Sequence, residues 1–415
     1  MRWPASRRGD KHVSNAPETA PGPVTLDPYD HRFHWDPYPF YRAARERDPV
    51  YFYEPGGFWL LTKWDDVNRA FRDHRTFINS GAVALEKDAN EKLPYPLFIG
   101  SDPPEHTRQR AVLTPLMMPA ALAKLEGFIR ARTVELLAPH LASGRLDFVA
   151  DLGCYLPMDV ISILIAVPQA DRDRVRGWAD DLIAREDRQT DLADRNVAGY
   201  MNLAQYFEAH TAQHECRPHE EDLLGAMLRA QSAGLMSHAE VVGNLILLAI
   251  AGNETTTKLI GNMAYRLWEH PKQRRWLVED PGLIPKAIEE TLRFDGSSQI
   301  LVRRVGVDVT LRGKLLRKGD RVGLCVISAN RDADKFTDPE SFDIRRGSRD
   351  HMAFGYGVHA CLGAALARLE TRVVFEEVLR RLPDYEIEVA GLRRAHNPNV
   401  RGFTHVPARF TPVAA

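Results

Sequence analysis

Phe354-Gly355-Tyr356-Gly357-Val358-His359-Ala360-Cys361-Leu362-Gly363 places one cysteine at the end of a glycine-punctuated loop and at the start of a helix. Gly355 and Gly357 permit backbone angles closed to other residues and a close approach to a flat ligand, while Phe354 can shield the sulfur from water. Downstream, Leu362, Leu366, Leu369 and Val373 recur at helical spacing. The sulfur therefore sits where unpaired amides and the helix dipole favour negative charge. An ionised Cys361 able to bind iron is the expectation.

The pattern Phe-Gly-x-Gly-x-His-x-Cys-x-Gly is matched at every fixed position, and in this the chain resembles the cytochrome P450 family of haem-thiolate monooxygenases. The plain structural alternative is a glycine-rich turn around a buried core cysteine. The resemblance implies a mainly α fold with a smaller β part. It also implies haem b between a long central helix and the cysteine loop, with Cys361 as the axial iron ligand and Phe354 and Gly355 bordering the haem.

At 415 residues, with 44% hydrophobic and only 9% aromatic residues, the chain can bury a large core. Length alone permits two or three domains, whereas the resemblance argues for one from about residue 26. A net charge of -1 offers no general field for nucleic acid or an anionic membrane, so a small, mostly uncharged ligand is the better expectation. The four cysteines Cys154, Cys216, Cys325 and Cys361 are far apart, which suits unpaired thiols in a reducing compartment, and the resemblance implies a cytoplasmic home. Residues 1 to about 25 are polar and proline-rich and read as a disordered tail. No stretch reaches the roughly 18 to 20 apolar residues of a membrane span.

Other segments carry chemistry in order along the chain. Asp36-Pro37-Tyr38-Pro39 opens a helix, and Phe58-Trp59-Leu60-Leu61 reads as a short buried strand before a helix near Trp64 to Phe71. Residues 78 to 100 have loop chemistry. Asp102-Pro103-Pro104-Glu105 starts a helix in which His106 and Arg110 share one face at i,i+4, a cationic pair suited to an anion or to a solvated helix end. The segment from 168 to 222 resembles a variable lid; His214, Cys216 and His219 within it lack a fourth ligand and do not read as a zinc site.

Ser237-His238-Ala239-Glu240 is a capping box for a long apolar helix carrying Ala251-Gly252-Asn253-Glu254-Thr255-Thr256. Glycine costs about 1 kcal/mol there, and polar groups in a core helix need a reason. A kinked helix whose threonine bonds back to the preceding turn is one reason. The family resemblance implies another: Gly252 makes room beside the haem, while Thr255 and Glu254 deliver protons during oxygen activation.

Glu290 and Arg293 form an i,i+3 pair, and the family's Glu-x-x-Arg implies a buried network holding the cysteine loop, with Arg331 as the expected third partner. Ile300 to Val305 reads as a strand with Arg303 and Arg304 on opposite faces. By resemblance, His106, Arg110, Arg303 and His359 bind the haem propionates. The implied reaction inserts one oxygen atom from O2 into a small hydrophobic substrate by hydroxylation or epoxidation. Electrons would come from NAD(P)H through a separate ferredoxin and ferredoxin reductase, which Arg345, Arg346 and Arg349 could help dock. A monomer without membrane or nucleic-acid partners is expected. A peroxide-driven haem-thiolate enzyme and a non-catalytic haem-based sensor are the alternatives.

Overall fold

Ser237 Oγ accepts the Glu240 amide at 3.2 Å, and the Glu240 carboxylate accepts the Ser237 amide at 2.8 Å. This reciprocal cap starts the helix His238–Ala251, whose residues from Val241 to Ala249 are all buried. A helix apolar on every side belongs in the interior, and this one lies among the side chains of the largest hydrophobic cluster. The computed structural model describes residues 24–82, 84–86, 94–186, 191–214 and 221–413. The expected disordered tail therefore falls almost wholly outside the described residues, as do Cys216 and His219.

The long helix is not continuous. It stops at Ala251 and a second helix, Glu254–Glu269, takes over after a two-residue break. At the break the Asn253 amide turns to the Ile250 carbonyl at 3.3 Å, a tighter closure than an α-helix makes. A Cβ on Gly252 would come within 2.7 Å of Ile161 Cγ1 and 2.8 Å of the Leu248 carbonyl oxygen. Glycine is needed there because a neighbouring helix, Leu156–Leu164, presses against the break.

The architecture is mostly helical with small sheets, as the sequence implies. Helices Glu126–Leu141, Ile284–Asp295 and Ala364–Arg381 pack around the central pair. Helices Arg172–Ile183 and Asp194–His214 pack on one another in the segment read as a lid. A five-stranded sheet runs in the order Val50–Tyr53, Phe58–Leu61, Arg321–Cys325, Ile300–Val305, Phe77–Ile78. Its register pairs Arg303 with Val322 and Arg304 with Arg321. Alternation of side chains then buries Arg303 and sends Arg304 toward Gly81, as predicted. Among the described residues no single helix is long and apolar enough to cross a membrane.

Candidate active site

The cysteine loop is shaped by backbone contacts. The Cys361 amide donates to the Phe354 carbonyl at 2.7 Å, closing the loop, and the Gly355 amide donates to Met352 at 2.9 Å. Gly357 has φ of 71°, and a Cβ there would lie 2.6 Å from the Phe71 carbonyl oxygen. Both the left-handed backbone and the close approach demand glycine. The helix begins at Ala364, so Cys361 precedes it by two residues beyond its cap.

Cys361 opens into a cavity of about 270 Å³ bounded on the other side by Leu248, Ala251 and Thr255. Its surface is accessible only in the sense that it faces this hollow; protein surrounds it. Burial pushes the thiol above its ordinary value, and the Gly363 amide, Arg110 and Arg368 offset this only in part. Desolvation of a thiolate thus outweighs the helix start, and a bound cation would supply the remaining stabilisation of the ionised form that the sequence leads one to expect.

Four cationic or potentially cationic side chains meet at one end of the cavity. The His106 and His359 rings lie 4.0 Å apart, and neither nitrogen of His106 nor Nε2 of His359 has a hydrogen-bond partner. Arg110 donates to the Ala360 carbonyl at 2.6 Å, and Arg303, buried, donates to the Val302 carbonyl at 2.7 Å and lies over the Phe71 ring. Among the described residues no carboxylate forms an ion pair with either arginine. Burial, then the neighbouring Arg110 charge, lowers His106 to about 4. Burial, then His106 and the two arginines, lowers His359 to about 2, and burial lowers Arg303 to about 10. The Asp102 carboxylate favours the charged forms of His106 and Arg303, but burial outweighs it, so this buried donor set can accept a further anion.

The floor under the cysteine loop is tied by carboxylates. Glu290 and Arg293 pair at 2.7 Å with both side chains fully buried. Arg293 also donates to the carbonyls of Asn330, Pro339 and Ser341 at 2.9 to 3.0 Å. Arg331 is not the third partner. It donates to the Phe294 carbonyl and to Glu340 at 2.8 Å while stacked over Tyr38, because the 331 turn faces the far end of the helix. Arg346 reaches Glu290 instead, at 3.4 Å, and bonds the carbonyls of Thr337 and Asp338. It is thereby turned inward, away from the expected docking patch, where Arg345 pairs with Asp343 at 3.1 Å.

Sequence reasoning missed a second tie. Glu289 accepts Arg368 at 2.6 and 3.0 Å and contacts His351 Nε2 at 2.9 Å. Burial raises its carboxyl, but His351 and Arg368 outweigh this and hold it at about 2. Arg368 lies 4.4 Å from the centre of the Phe354 ring, so the network reaches a residue that lines the cavity. The acidic neighbour of Glu290 was the available signal.

On the opposite wall Thr255 lines the cavity, with its hydroxyl donating to the Ala251 carbonyl at 3.1 Å. Gly252 also lines it, although the space its missing side chain leaves is taken by Ile161. Glu254 departs from expectation. Its carboxylate pairs with the nearly buried Lys258 at 2.7 Å and is not part of the cavity lining. One residue's rotation around the helix separates it from Thr255, and the i,i+4 lysine holds it there.

The cytochrome P450 family model matches residues 282–401, which hold the carboxylate ties and the cysteine loop. Cytochrome P450 123 of Mycobacterium tuberculosis is 40% identical, over 92% of this chain and 96% of its own length. The chain belongs to the cytochrome P450 family. Its relatives also include a vitamin D(3) 25-hydroxylase of Pseudonocardia autotrophica, 34% identical over 96% of this chain and 99% of that protein. Among solved structures, CYP109E1 from Bacillus megaterium in complex with testosterone has a TM-score of 0.85 at 32% identity, covering 92% of this chain and 99% of that one.

This P450 is therefore a member of a monooxygenase family, and membership implies haem. The donor set fits such a group: a thiol faces the cavity, and the unpartnered nitrogens of His106 and His359 stand beside two arginines that, among the described residues, form no ion pair.

Proposed function

We propose that this chain inserts one oxygen atom from O2 into a neutral hydrophobic molecule of about steroid size, using haem b and electrons from NAD(P)H relayed by a separate ferredoxin and its reductase. The observation that carries the reading is a single cavity flanked by Cys361, by an unpaired cationic set and by Thr255. When bound, haem supplies oxygen activation and one-electron chemistry that no side chain can supply.

In this reading the chain's own residues do four things. Cys361 Sγ would bind the haem iron, and the Gly355 and Gly357 backbone lets the loop approach a flat group. His106, Arg110, Arg303 and His359 hold two carboxylates, which would offset the desolvation of these donors. Thr255 Oγ1 passes a proton inward by exchanging its bond to the Ala251 carbonyl, and Glu254 joins the relay only when it leaves Lys258. Leu248, Leu301 and Val302 give the cavity apolar walls without a paired charge, which suits a neutral substrate. The hydroxylase for vitamin D(3) and the testosterone-bound relative support the size class.

One observation favours a second reading: Glu254 is engaged by Lys258, as a peroxide-driven enzyme that needs no acid relay would tolerate. The test is the absorption spectrum of reduced, carbon monoxide-treated protein with and without Cys361→Ala, followed by turnover of a steroid panel. A strongly red-shifted Soret band that the substitution abolishes, with product formed under ferredoxin, reductase and NADPH, bears the proposal out. Product formed with hydrogen peroxide alone and none with the reductase pair selects the second reading, and a histidine-type band overturns both.

A further inference from the structure

Away from the cavity, three imidazoles converge where the N-terminal segment meets the C-terminal loop. His31 and His34 stand three residues apart on the short helix His31–Trp35, and His396 comes from the loop between Arg393–Arg394 and Phe403–His405. One nitrogen from each lies within 4.8 Å of the others. His34 is 4% exposed, while His31 and His396 are half-buried.

The His34 ring is already set as a ligand. Its Nε2 lies 2.8 Å from the Pro28 carbonyl oxygen, and because a carbonyl only accepts, that nitrogen carries the hydrogen. Nδ1 is then left with a lone pair, and it has no hydrogen-bond partner. Metal-binding histidines are commonly oriented in this way, with the second ring nitrogen donating to a carbonyl. The neighbouring cation Arg401 donates to the His34 carbonyl at 2.9 Å, but its charge is matched by Asp295 at 2.7 Å.

We propose that His31, His34 and His396 bind a divalent late first-row transition ion of the zinc type, with water completing the coordination. Three imidazoles without a thiolate are a donor set suited to Zn2+, Ni2+ or Cu2+. Tetrahedral coordination needs nitrogens about 3.3 Å apart, so the cluster has to tighten by about 1.5 Å. His31 and His396 are stacked, with ring centroids 3.4 Å apart and an angle of 9°. Two in-plane lone pairs cannot meet at one ion from that stack, so binding turns these half-buried rings about χ2.

The ion would join two distant parts of the chain beside the cavity. Arg401 donates its amide to the Ser297 carbonyl at 2.7 Å, and the Gln299 amide donates to Asn399 at 2.8 Å. Ser297 and Ser298 line the cavity, so the loop clamped through His396 backs one of its walls.

The test uses untagged, haem-loaded protein stripped with a chelator and dialysed against Zn2+. One zinc per chain is expected, with an upward shift of the thermal midpoint of about 3 °C at a hundredfold excess over the dissociation constant. His34→Gln and His396→Gln should each lose the bound zinc and the shift while the carbon monoxide spectrum of the reduced protein stays that of the parent. His396→Gln, altering a half-buried loop position, keeps the test decisive if His34→Gln does not fold. Absence of zinc from the parent protein, or undiminished binding in His396→Gln, overturns the proposal.

Discussion

The two walls of the cavity are held by different physics. The floor beneath Cys361 is cross-tied by buried ion pairs, Glu290 with Arg293 and Glu289 with Arg368. The opposite wall is a broken helix whose polar groups make single, exchangeable contacts: Thr255 to the Ala251 carbonyl, Glu254 to Lys258. The difference teaches a division of labour. Fixed charge pairs keep a ligand loop in one position, and weakly committed hydroxyl and carboxyl groups can change partners during a reaction.

Breaking the floor should give the largest effect. Arg293→Leu leaves Glu290 buried with the longer 3.4 Å ion pair to Arg346 and should cost about 3–5 kcal/mol, read as a large fall in thermal midpoint or as failure to retain haem. A variant with parental stability would refute the idea that this pair holds the floor. Glu289→Gln comes next. Its carboxyl is ordinarily near 4.5 and is held at about 2 in the fold, so its contribution is fully present above pH 4.5 and is lost as pH falls through 2. That contribution is on the order of 3 kcal/mol, so acid unfolding followed by circular dichroism should occur at lower pH in the parent than in the variant. Parallel acid curves for the two would remove Glu289 from the account.

The cationic end sharpens the comparison. Arg303→Leu removes one charged donor to the proposed propionates, worth about 1.5–3 kcal/mol, so haem transfer to apomyoglobin should quicken without global unfolding. Unchanged transfer would reassign Arg303 to packing on Phe71. Changes on the opposite wall should be the mildest for stability. Thr255→Ala should keep haem content and the thermal midpoint within about 1 kcal/mol of the parent while less product forms per NADPH consumed. Undiminished coupling would show that a hydroxyl at this position is dispensable.

The cysteine loop was legible because its requirements are local. Gly357 must adopt positive φ against the Phe71 backbone, and a short pattern records that need. His106, Arg110, Arg303 and His359 also gather as the family resemblance implied. The partners of long side chains were harder to read. Arg331 and Arg346 both lie far along the chain from Glu290, and only the path of the chain after Pro339 decides that Arg346 turns inward. Lys258 stood four residues from Glu254 in plain view, yet whether that carboxylate faces the cavity or its lysine depends on where Gly252 interrupts the helix.

The sequence by itself determined the thiol loop, whose needs are backbone geometry and spacing within one element, and through the family resemblance it implied the helical class and the cationic set. Tertiary structure alone decided the burial of Cys361, the third partner of Glu290, the turning of Glu254 and the meeting of His396 with His31 and His34. Those depend on desolvation and on contacts between segments far apart in the chain, which no local pattern encodes.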